Sequence, residues 1–125
     1  MIVVSDSGPL ISLMKAGLLH ITEGLYGTVS IPEAVYAELT GNDRYIEEAA
    51  RIRSSAFIVI VPVKDRNKVM ALQRTSGLDL GESEAIVCAE EVGADILLIE
   101  ENAGRKEAKS RGLHVRGSIG LILLS

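Results

Sequence analysis

Acidic side chains stand in this chain where predicted strands end and predicted helices begin. Four of them share this placement: Asp6, Glu38, Glu82 and Glu100. In an open parallel α/β sheet, ligands bind in the crevice beyond the carboxyl ends of the strands, so such residues are brought together there. Four carboxylates in one crevice repel one another and raise each other's pKa unless a cation neutralises them. The sequence therefore predicts an oxygen-ligated Mg²⁺ or Mn²⁺ site.

Each of the first two acids has an ordinary explanation when it is taken alone. Asp6 and Ser7 directly precede a predicted helix, so either side chain is suited to cap it. If Asp6 is instead a metal ligand, the Ser7 hydroxyl is placed to orient that carboxylate or to contact a phosphate. Glu38 by itself is typical of a solvated glutamate on a surface helix. Only the joint placement of the acids favours a site.

The other two acids each have an acidic neighbour that competes for the same role. Glu82 and Glu84 both lie at a helix start, where carboxylates interact favourably with the helix dipole. Because they are two residues apart they point to different faces, so only one can point at a shared site. Glu100 and Glu101 follow one strand, and both are also explained as loop or cap acids. We expect Glu84 and Glu101 to point away from the site or to support it indirectly.

Basic residues gather on the last full predicted helix: Arg105, Lys106, Lys109 and Arg111. They are suited to guide phosphate groups, although such a cluster is usually a solvated helix face. His20 and His114 have no partner at a metal-ligand spacing. Neither a Walker-type loop nor a G-x-G-x-x-G motif occurs, which excludes nucleotide binding by the common phosphate loops.

Length and composition fit one compact domain with an aliphatic core. The chain has 125 residues, 47% of them hydrophobic and only 3% aromatic, which leaves no aromatic platform for stacking bases. The net charge of -4 argues against a broad cationic face that holds duplex nucleic acid. It does not exclude a nuclease, because carboxylates committed to metal ions lower the formal charge but not the local field.

Cysteine usage and hydropathy predict a cytoplasmic protein without a membrane span. Cys88 is the only cysteine, so an intramolecular disulfide and a cysteine-based zinc site are both excluded. No apolar run reaches transmembrane length, and the start of the chain leads directly into a strand rather than a signal peptide.

Predicted strands alternate with predicted helices along the chain. The strands are residues 2–5, 28–31, 57–63, 95–99 and 113–115, and the helices are residues 8–16, 18–25, 32–39, 45–54, 64–74, 82–92 and 102–111. Residues 78–81 are predicted as a loop, and residues 41–43 as a turn with Asp43 as N-cap. Pro62 indicates a sheet edge. The alternation predicts an α/β three-layer sandwich with a mostly parallel sheet.

The final segment, residues 119–124, carries five large aliphatic residues around Gly120 and is predicted to begin a helix. Nothing that follows it in this chain covers it, and an exposed apolar patch usually marks an interface. A two-fold homodimer is the commonest closed assembly. We therefore expect a homodimer that uses this segment or the helices beside it.

Five segments, in order along the chain, together resemble the PIN domains, which are small metal-dependent ribonucleases. They are residues 3–11 (VVSDSGPLI), 30–39 (SIPEAVYAEL), 80–86 (LGESEAI), 97–101 (LLIEE) and 112–120 (GLHVRGSIG). The first four segments are similar to those that carry the four family acids, here Asp6, Glu38, Glu82 and Glu100. Glu occupies the third and fourth positions, where the wider family more often has Asp, and the extra methylene moves the carboxylate.

The resemblance implies a PIN-like domain over residues 1–125 and a divalent-metal-dependent endoribonuclease of single-stranded or structured RNA. Asp6, Glu82 and Glu100 would hold Mg²⁺ or Mn²⁺, and Glu38 would bind directly or through water. Arg105 and Lys106 would hold flanking phosphates, together with backbone amides at helix starts. The chain stops where such domains usually continue with a further helix and often a strand, so we expect a short variant.

The last segment is similar to relatives of the VapC-type toxins. It implies the toxin of a toxin-antitoxin pair, silenced by a small antitoxin protein that covers the acidic crevice. PIN-like proteins also commonly pair. One alternative is a catalytically weakened PIN-like dimeric binding module, which the two Glu positions and the missing tail favour and the retention of all four acids opposes. A receiver-like regulatory domain shares acidic strand ends, but the spacing after Pro32 fits it poorly.

Overall fold

Five short strands form one parallel sheet in the computed structural model, which describes residues 1–41 and 46–125. The strands are β1 (Val3–Ser5), β2 (Val29–Ile31), β3 (Ile58–Ile60), β4 (Ile96–Leu98) and β5 (Val115–Arg116). Their order is β3-β2-β1-β4-β5, and every adjacent pair is parallel. The central strand β1 places Val4 opposite Ser30 on one side and opposite Leu97 on the other. The chain therefore reverses its direction of winding at β1, where the first acid follows.

Within residues 1–41 and 46–125, eight helices connect and flank these strands. They are α1 (Ser7–Lys15), α2 (His20–Tyr26), α3 (Glu33–Thr40), α4 (Ile46–Ser54), α5 (Arg66–Ser76), α6 (Leu80–Val92), α7 (Asn102–Ser110) and α8 (Ser118–Leu124). The predicted turn at residues 41–43, its cap at Asp43 and the start of the predicted helix at Tyr45 lie outside the described residues, apart from Gly41. Among the residues that the structure describes, no helix is long and apolar enough to cross a membrane.

Two hydrophobic cores cover the two faces of the sheet. Alternate strand residues enter opposite cores: Val3 and Leu98 join one, and Val4 and Leu97 join the other. The first core is completed by apolar residues of α1, α3, α4 and α8, and the second by residues of α5, α6 and α7. The predicted three-layer α/β sandwich is confirmed.

Several predicted boundaries shift by one to three residues, and two of these shifts have clear local causes. Helix α6 begins at Leu80, not at Glu82, because Asp79 and Glu82 form a capping box: the Asp79 carboxylate accepts from the Glu82 backbone N–H at 2.7 Å. Strand β5 begins at Val115, not at residue 113, because Leu113 closes α7 by donating its N–H to the Ala108 carbonyl at 3.0 Å. The strand predicted at residues 57–63 forms β3 and lies at the sheet edge as expected, but it ends at Ile60, before Pro62.

Helix α8 forms from the apolar segment at the end of the chain. Leu121 is fully buried in the first core, where α8 packs against α1 and α2. Ile119 and Leu123 are 73% and 81% exposed, and Ile122 and Leu124 are also exposed. The helix therefore presents an apolar outer face.

Candidate active site

Asp6 lies directly after β1 at the carboxyl edge of the sheet. Its backbone N–H donates to the Leu98 carbonyl at 2.9 Å, which extends the pairing with β4 by one residue. Asp6 occupies the N-cap position of α1, but its side chain makes no capping hydrogen bond. The carboxylate is buried, with the residue 5% exposed, and its Oδ1 atom has no donor among the described residues. Capping therefore does not explain this aspartate.

Glu38 reaches the same region from α3. Its Oε2 atom accepts a hydrogen bond of 2.7 Å from the Ser7 hydroxyl, so Ser7 orients Glu38. A side chain at Gly81, in the first turn of α6, would overlap the Glu38 carboxylate. The absence of a Cβ at Gly81 thus allows Glu38 to approach α6 closely.

Glu82 uses its two carboxylate oxygens differently. Oε1 accepts from the Asp79 backbone N–H at 3.3 Å, as the second half of the capping box. Oε2 is buried and has no donor among the residues described. A Cβ atom at Gly104 of α7 would lie 3.0 Å from this oxygen. The residue is 6% exposed, so the chain buries a carboxylate oxygen and leaves it without a hydrogen bond.

The carboxylates of Asp6, Glu38, Asp79 and Glu82 form one group, which we call the acidic crevice. Burial raises the pKa of Asp6 from 3.8 to about 7, and the charges of the other three add to this effect. Burial also raises the pKa of Glu38 and of Glu82, and the charge of Asp79 adds to both. Sequence reasoning missed Asp79. The D-x-x-E spacing of the capping box is the signal that could have identified it.

Glu100 lies apart from the acidic crevice and faces α1 and α8. Its Oε2 accepts from the Ser12 hydroxyl at 2.9 Å, and its Oε1 accepts from the Ser118 backbone N–H at 2.9 Å and from the Ser118 hydroxyl. Burial acts to raise the pKa of Glu100, but these hydrogen bonds and the charge of Arg105 lower it overall. Both oxygens are therefore already engaged.

The two neighbouring acids have different surroundings. Glu84 is buried; its Oε1 accepts from the Ala34 backbone N–H at 3.0 Å, and its Oε2 pairs with Arg66 at 2.7 Å. Glu84 thus supports the start of α3, the helix that carries Glu38. Glu101 is exposed, and its negative charge helps to raise the pKa of Glu82. Glu101 therefore lies on the crevice side of the chain.

The unpaired oxygens test whether a divalent cation fits the crevice. Asp6 Oδ1 and Glu82 Oε2 are buried hard oxygen atoms to which no described residue donates. In the part of the chain that the structure describes, no three His, Cys, Asp or Glu side chains form a group that could hold a metal ion. Mg²⁺ commonly keeps several waters and is bound by only one or two carboxylates plus substrate phosphates. The donor set therefore fits an open Mg²⁺ or Mn²⁺ site rather than a closed protein cage.

The basic residues of α7 divide into two sets. Arg105 is half-buried and donates to the Ile99 carbonyl at 3.1 Å, which holds its guanidinium near the end of β4. Lys106 is exposed. Arg111 pairs with Glu90 at 3.0 Å and with Glu107 at 3.2 Å, farther along the helix. Only the N-terminal part of α7 is thus suited to guide a phosphate towards the strand ends.

Comparison with known proteins identifies the class. The family model DUF3368, described as a PIN domain, matches residues 2–125. The chain belongs to the PIN-domain family, whose members are in general nucleases that bind RNA and typically use divalent metals.

A solved structure supports the fold independently. The crystal structure of PAE2754 from Pyrobaculum aerophilum is similar, with a TM-score of 0.74 and 12% sequence identity over 98% of this chain and 93% of that chain. No curated protein matches the chain at a significant level.

Proposed function

We propose that this protein is a divalent-metal-dependent endoribonuclease that cleaves single-stranded RNA. One observation carries the proposal: Asp6 and Glu82 bury carboxylate oxygens that have no hydrogen-bond donor among the described residues. A buried polar atom without a partner costs about 1–3 kcal/mol, and more when it is charged. A site that binds a cation explains why the fold tolerates both of them.

Asp6 and Glu82 would hold Mg²⁺ or Mn²⁺. When bound, such an ion lowers the pKa of an attacking water and stabilises charge on the scissile phosphate. Glu38, oriented by Ser7, is placed to bind directly or to accept a hydrogen bond from a water. Arg105 and Lys106 would contact phosphates that flank the scissile bond.

The fourth acidic position requires a choice between Glu100 and Glu101. The sequence favours Glu100 as a metal ligand, but both of its oxygens accept hydrogen bonds from Ser12 and Ser118. Glu101 is exposed and its charge acts on Glu82. We therefore assign Glu101 to the crevice and Glu100 to the positioning of the β4 end.

A cleavage assay tests the proposal. Purified protein is incubated with labelled single-stranded RNA in Mg²⁺, in Mn²⁺ and in EDTA. Cleavage is expected only with the ions, and Asp6→Asn and Glu82→Gln are expected to remove most of it. Glu47→Gln, which changes an exposed acid of α4, is the matched control and is expected to retain activity. Cleavage that persists in EDTA, or in Asp6→Asn, would contradict the mechanism.

A catalytically weakened binding module is the second candidate. It is favoured by the absence, among the described residues, of a group of three acidic, His or Cys side chains arranged to hold a metal. Under this alternative the wild type binds RNA and does not cleave it under any of the three conditions.

We also propose that the nuclease is the toxin of a toxin-antitoxin pair in the cytoplasm. The similarity of residues 112–120 to relatives of VapC-type toxins supports this role. A small antitoxin would cover the acidic crevice. Expression of the wild type is then expected to arrest growth, Asp6→Asn is expected to be tolerated, and a small open reading frame beside the gene is expected to relieve the arrest.

A homodimer through α8 completes the proposal. The outer face of this helix exposes four aliphatic side chains: Ile119, Ile122, Leu123 and Leu124. Burying such a face against the same face of a second copy removes it from water under two-fold symmetry.

A further inference from the structure

A concavity of about 780 Å³ opens next to Glu100. It lies between α7, β5 and α8, and Ser12 of α1 borders it. Arg105 and Arg116 both line it, and we call it the arginine cleft. Glu100 also lines the cleft and is followed in the chain by Glu101 of the crevice side. The cleft therefore opens at the carboxyl end of β4.

Both arginines are held in place with most of their donors unused. Arg105 donates one hydrogen bond, to the Ile99 carbonyl at 3.1 Å, and Arg116 donates one, to the Tyr26 hydroxyl at 2.8 Å. Within the described ranges, neither arginine forms an ion pair. A guanidinium carries five N–H donors. Each side chain is thus fixed at one point and able to bind an acceptor with the rest.

Glu100 is the acid that lines this cleft, and its charge is already compensated. Its oxygens accept hydrogen bonds from Ser12 and Ser118, and the charge of Arg105 stabilises the carboxylate. The cleft is therefore lined by two arginines and by one acid whose oxygens already accept hydrogen bonds from Ser12 and Ser118. The net local charge favours an anion.

Two glycines make room for the two arginines. A Cβ atom at Gly117 would lie 3.1 Å from an Arg105 guanidinium nitrogen, and one at Gly120 would lie 3.0 Å from Cγ of Arg116. Neither glycine has the positive φ that a side chain would oppose. Gly120 lies inside α8, where glycine is a poor helix former. Space for the arginines, rather than backbone conformation, explains the glycine at both positions.

We propose that the arginine cleft binds the RNA strand next to the scissile phosphate, with Arg105 and Arg116 each contacting a phosphodiester group. A guanidinium matches the two free oxygens of a phosphodiester. Val115 and Ile119 line the same cleft and give an apolar surface for a base or sugar. The inference rests on the proposed function in naming RNA, and it adds Arg116 and the cleft as the path of the strand.

Binding measured in EDTA separates this inference from catalysis. A short fluorescein-labelled oligoribonucleotide is titrated with wild type, Arg105→Ala and Arg116→Ala at several salt concentrations. The charge-conserving variants Arg105→Lys and Arg116→Lys are titrated in the same way. Arg111→Ala is the matched control, since Arg111 is engaged with Glu90 and Glu107. Each cleft Ala variant is expected to bind about tenfold more weakly. Each is also expected to reduce the slope of log K against log salt by about 0.7. The Lys variants are expected to keep most of that slope, and Arg111→Ala is expected to match wild type.

Gly120→Ala supplies an arm that does not remove charge. Alanine favours the helix, so the melting temperature is expected not to fall, whereas displacement of Arg116 weakens RNA binding severalfold. Cleft variants that bind RNA as tightly as Arg111→Ala would overturn the inference, even if the protein cleaves RNA. Arginine-dependent binding without Asp6-dependent cleavage would support the cleft and overturn the nuclease.

Discussion

Replacing Asp6 by Asn tests how strongly the acidic crevice disfavours the ionised form of this carboxylate. Burial and neighbouring charges raise the pKa of Asp6 from 3.8 to about 7. This change corresponds to about 4 kcal/mol by which the fold disfavours the ionised form. The folded state binds the proton more tightly than the unfolded chain does. The resulting stability is therefore fully present below about pH 4 and is lost as pH rises through about 7.

Asn cannot ionise, so the variant escapes this loss. It leaves a buried amide without full partners, which costs about 1–3 kcal/mol. At about pH 8 without metal we expect Asp6→Asn to be more stable than wild type by about 1–3 kcal/mol. Near pH 4 we expect it to be no more stable. Each kcal/mol corresponds to roughly 3–5 °C in melting temperature for a domain of this size. Thermal unfolding followed by circular dichroism in EDTA measures the difference.

Adding the ion is expected to narrow that difference. A ligand at ten times its Kd stabilises the folded state by about 1.4 kcal/mol, and Mg²⁺ or Mn²⁺ is expected to stabilise wild type in this way at about pH 8. Asp6→Asn is expected to lose most of the effect, whereas the control Glu47→Gln retains it. An equal shift in Asp6→Asn would mean that the ion binds elsewhere. A wild type whose metal-free stability rises between about pH 5 and pH 8 would refute the buried carboxylate itself.

Three further results are expected. Glu101→Gln lowers cleavage and Mg²⁺ stabilisation without lowering metal-free stability. Glu100→Gln lowers the free energy of unfolding by about 1–2 kcal/mol, because hydrogen bonds are lost. The opposite pattern, in calorimetry and cleavage assays, would mean that Glu100 and not Glu101 binds the metal. Gly81→Ala displaces Glu38 and lowers cleavage at least tenfold with little change in melting temperature. The control Gly93→Ala lowers the free energy of unfolding by roughly 1 kcal/mol, because Gly93 has a positive φ, and it leaves cleavage intact. Leu123→Asp converts a dimer to a monomer by light scattering, and a wild type that is monomeric at micromolar concentration contradicts the α8 interface.

The strands and most helices were predictable from local sequence because their signals are local. Apolar runs mark β1 and β4, and Gly27 ends α2 as expected. The start of α6 was missed because residues 78–81 carry turn-forming types, and the capping box between Asp79 and Glu82 extends the helix through them. These boundaries failed where a particular hydrogen bond outweighed residue propensity: a side-chain bond at the start of α6 and a backbone bond from Leu113 before β5.

The direction of the acidic side chains was predictable only in part. The sequence placed acids near predicted strand and helix ends, and in the fold the charges of Glu38 and Glu82 act on Asp6. The orientation of Glu100 depends on Ser12 and Ser118, which are 88 and 18 residues away along the chain. No local pattern encodes such a contact, so a pair of adjacent acids after a strand does not reveal which one faces the crevice.

Glycine serves two separate purposes in this chain. Five glycines have positive φ, and nothing lies within 4 Å of where their Cβ would be: Gly17, Gly27, Gly77, Gly93 and Gly112. Three others have ordinary backbone angles and would place a Cβ within 3.1 Å of a charged side chain: Gly81 against Glu38, Gly117 against Arg105 and Gly120 against Arg116. A Cβ at Gly104 would meet Ile99 first, at 2.6 Å, and then Glu82, at 3.0 Å. The first set is required by backbone conformation. The second set surrounds the acidic crevice and the arginine cleft, so the missing side chains admit the charged groups on which the proposed chemistry depends.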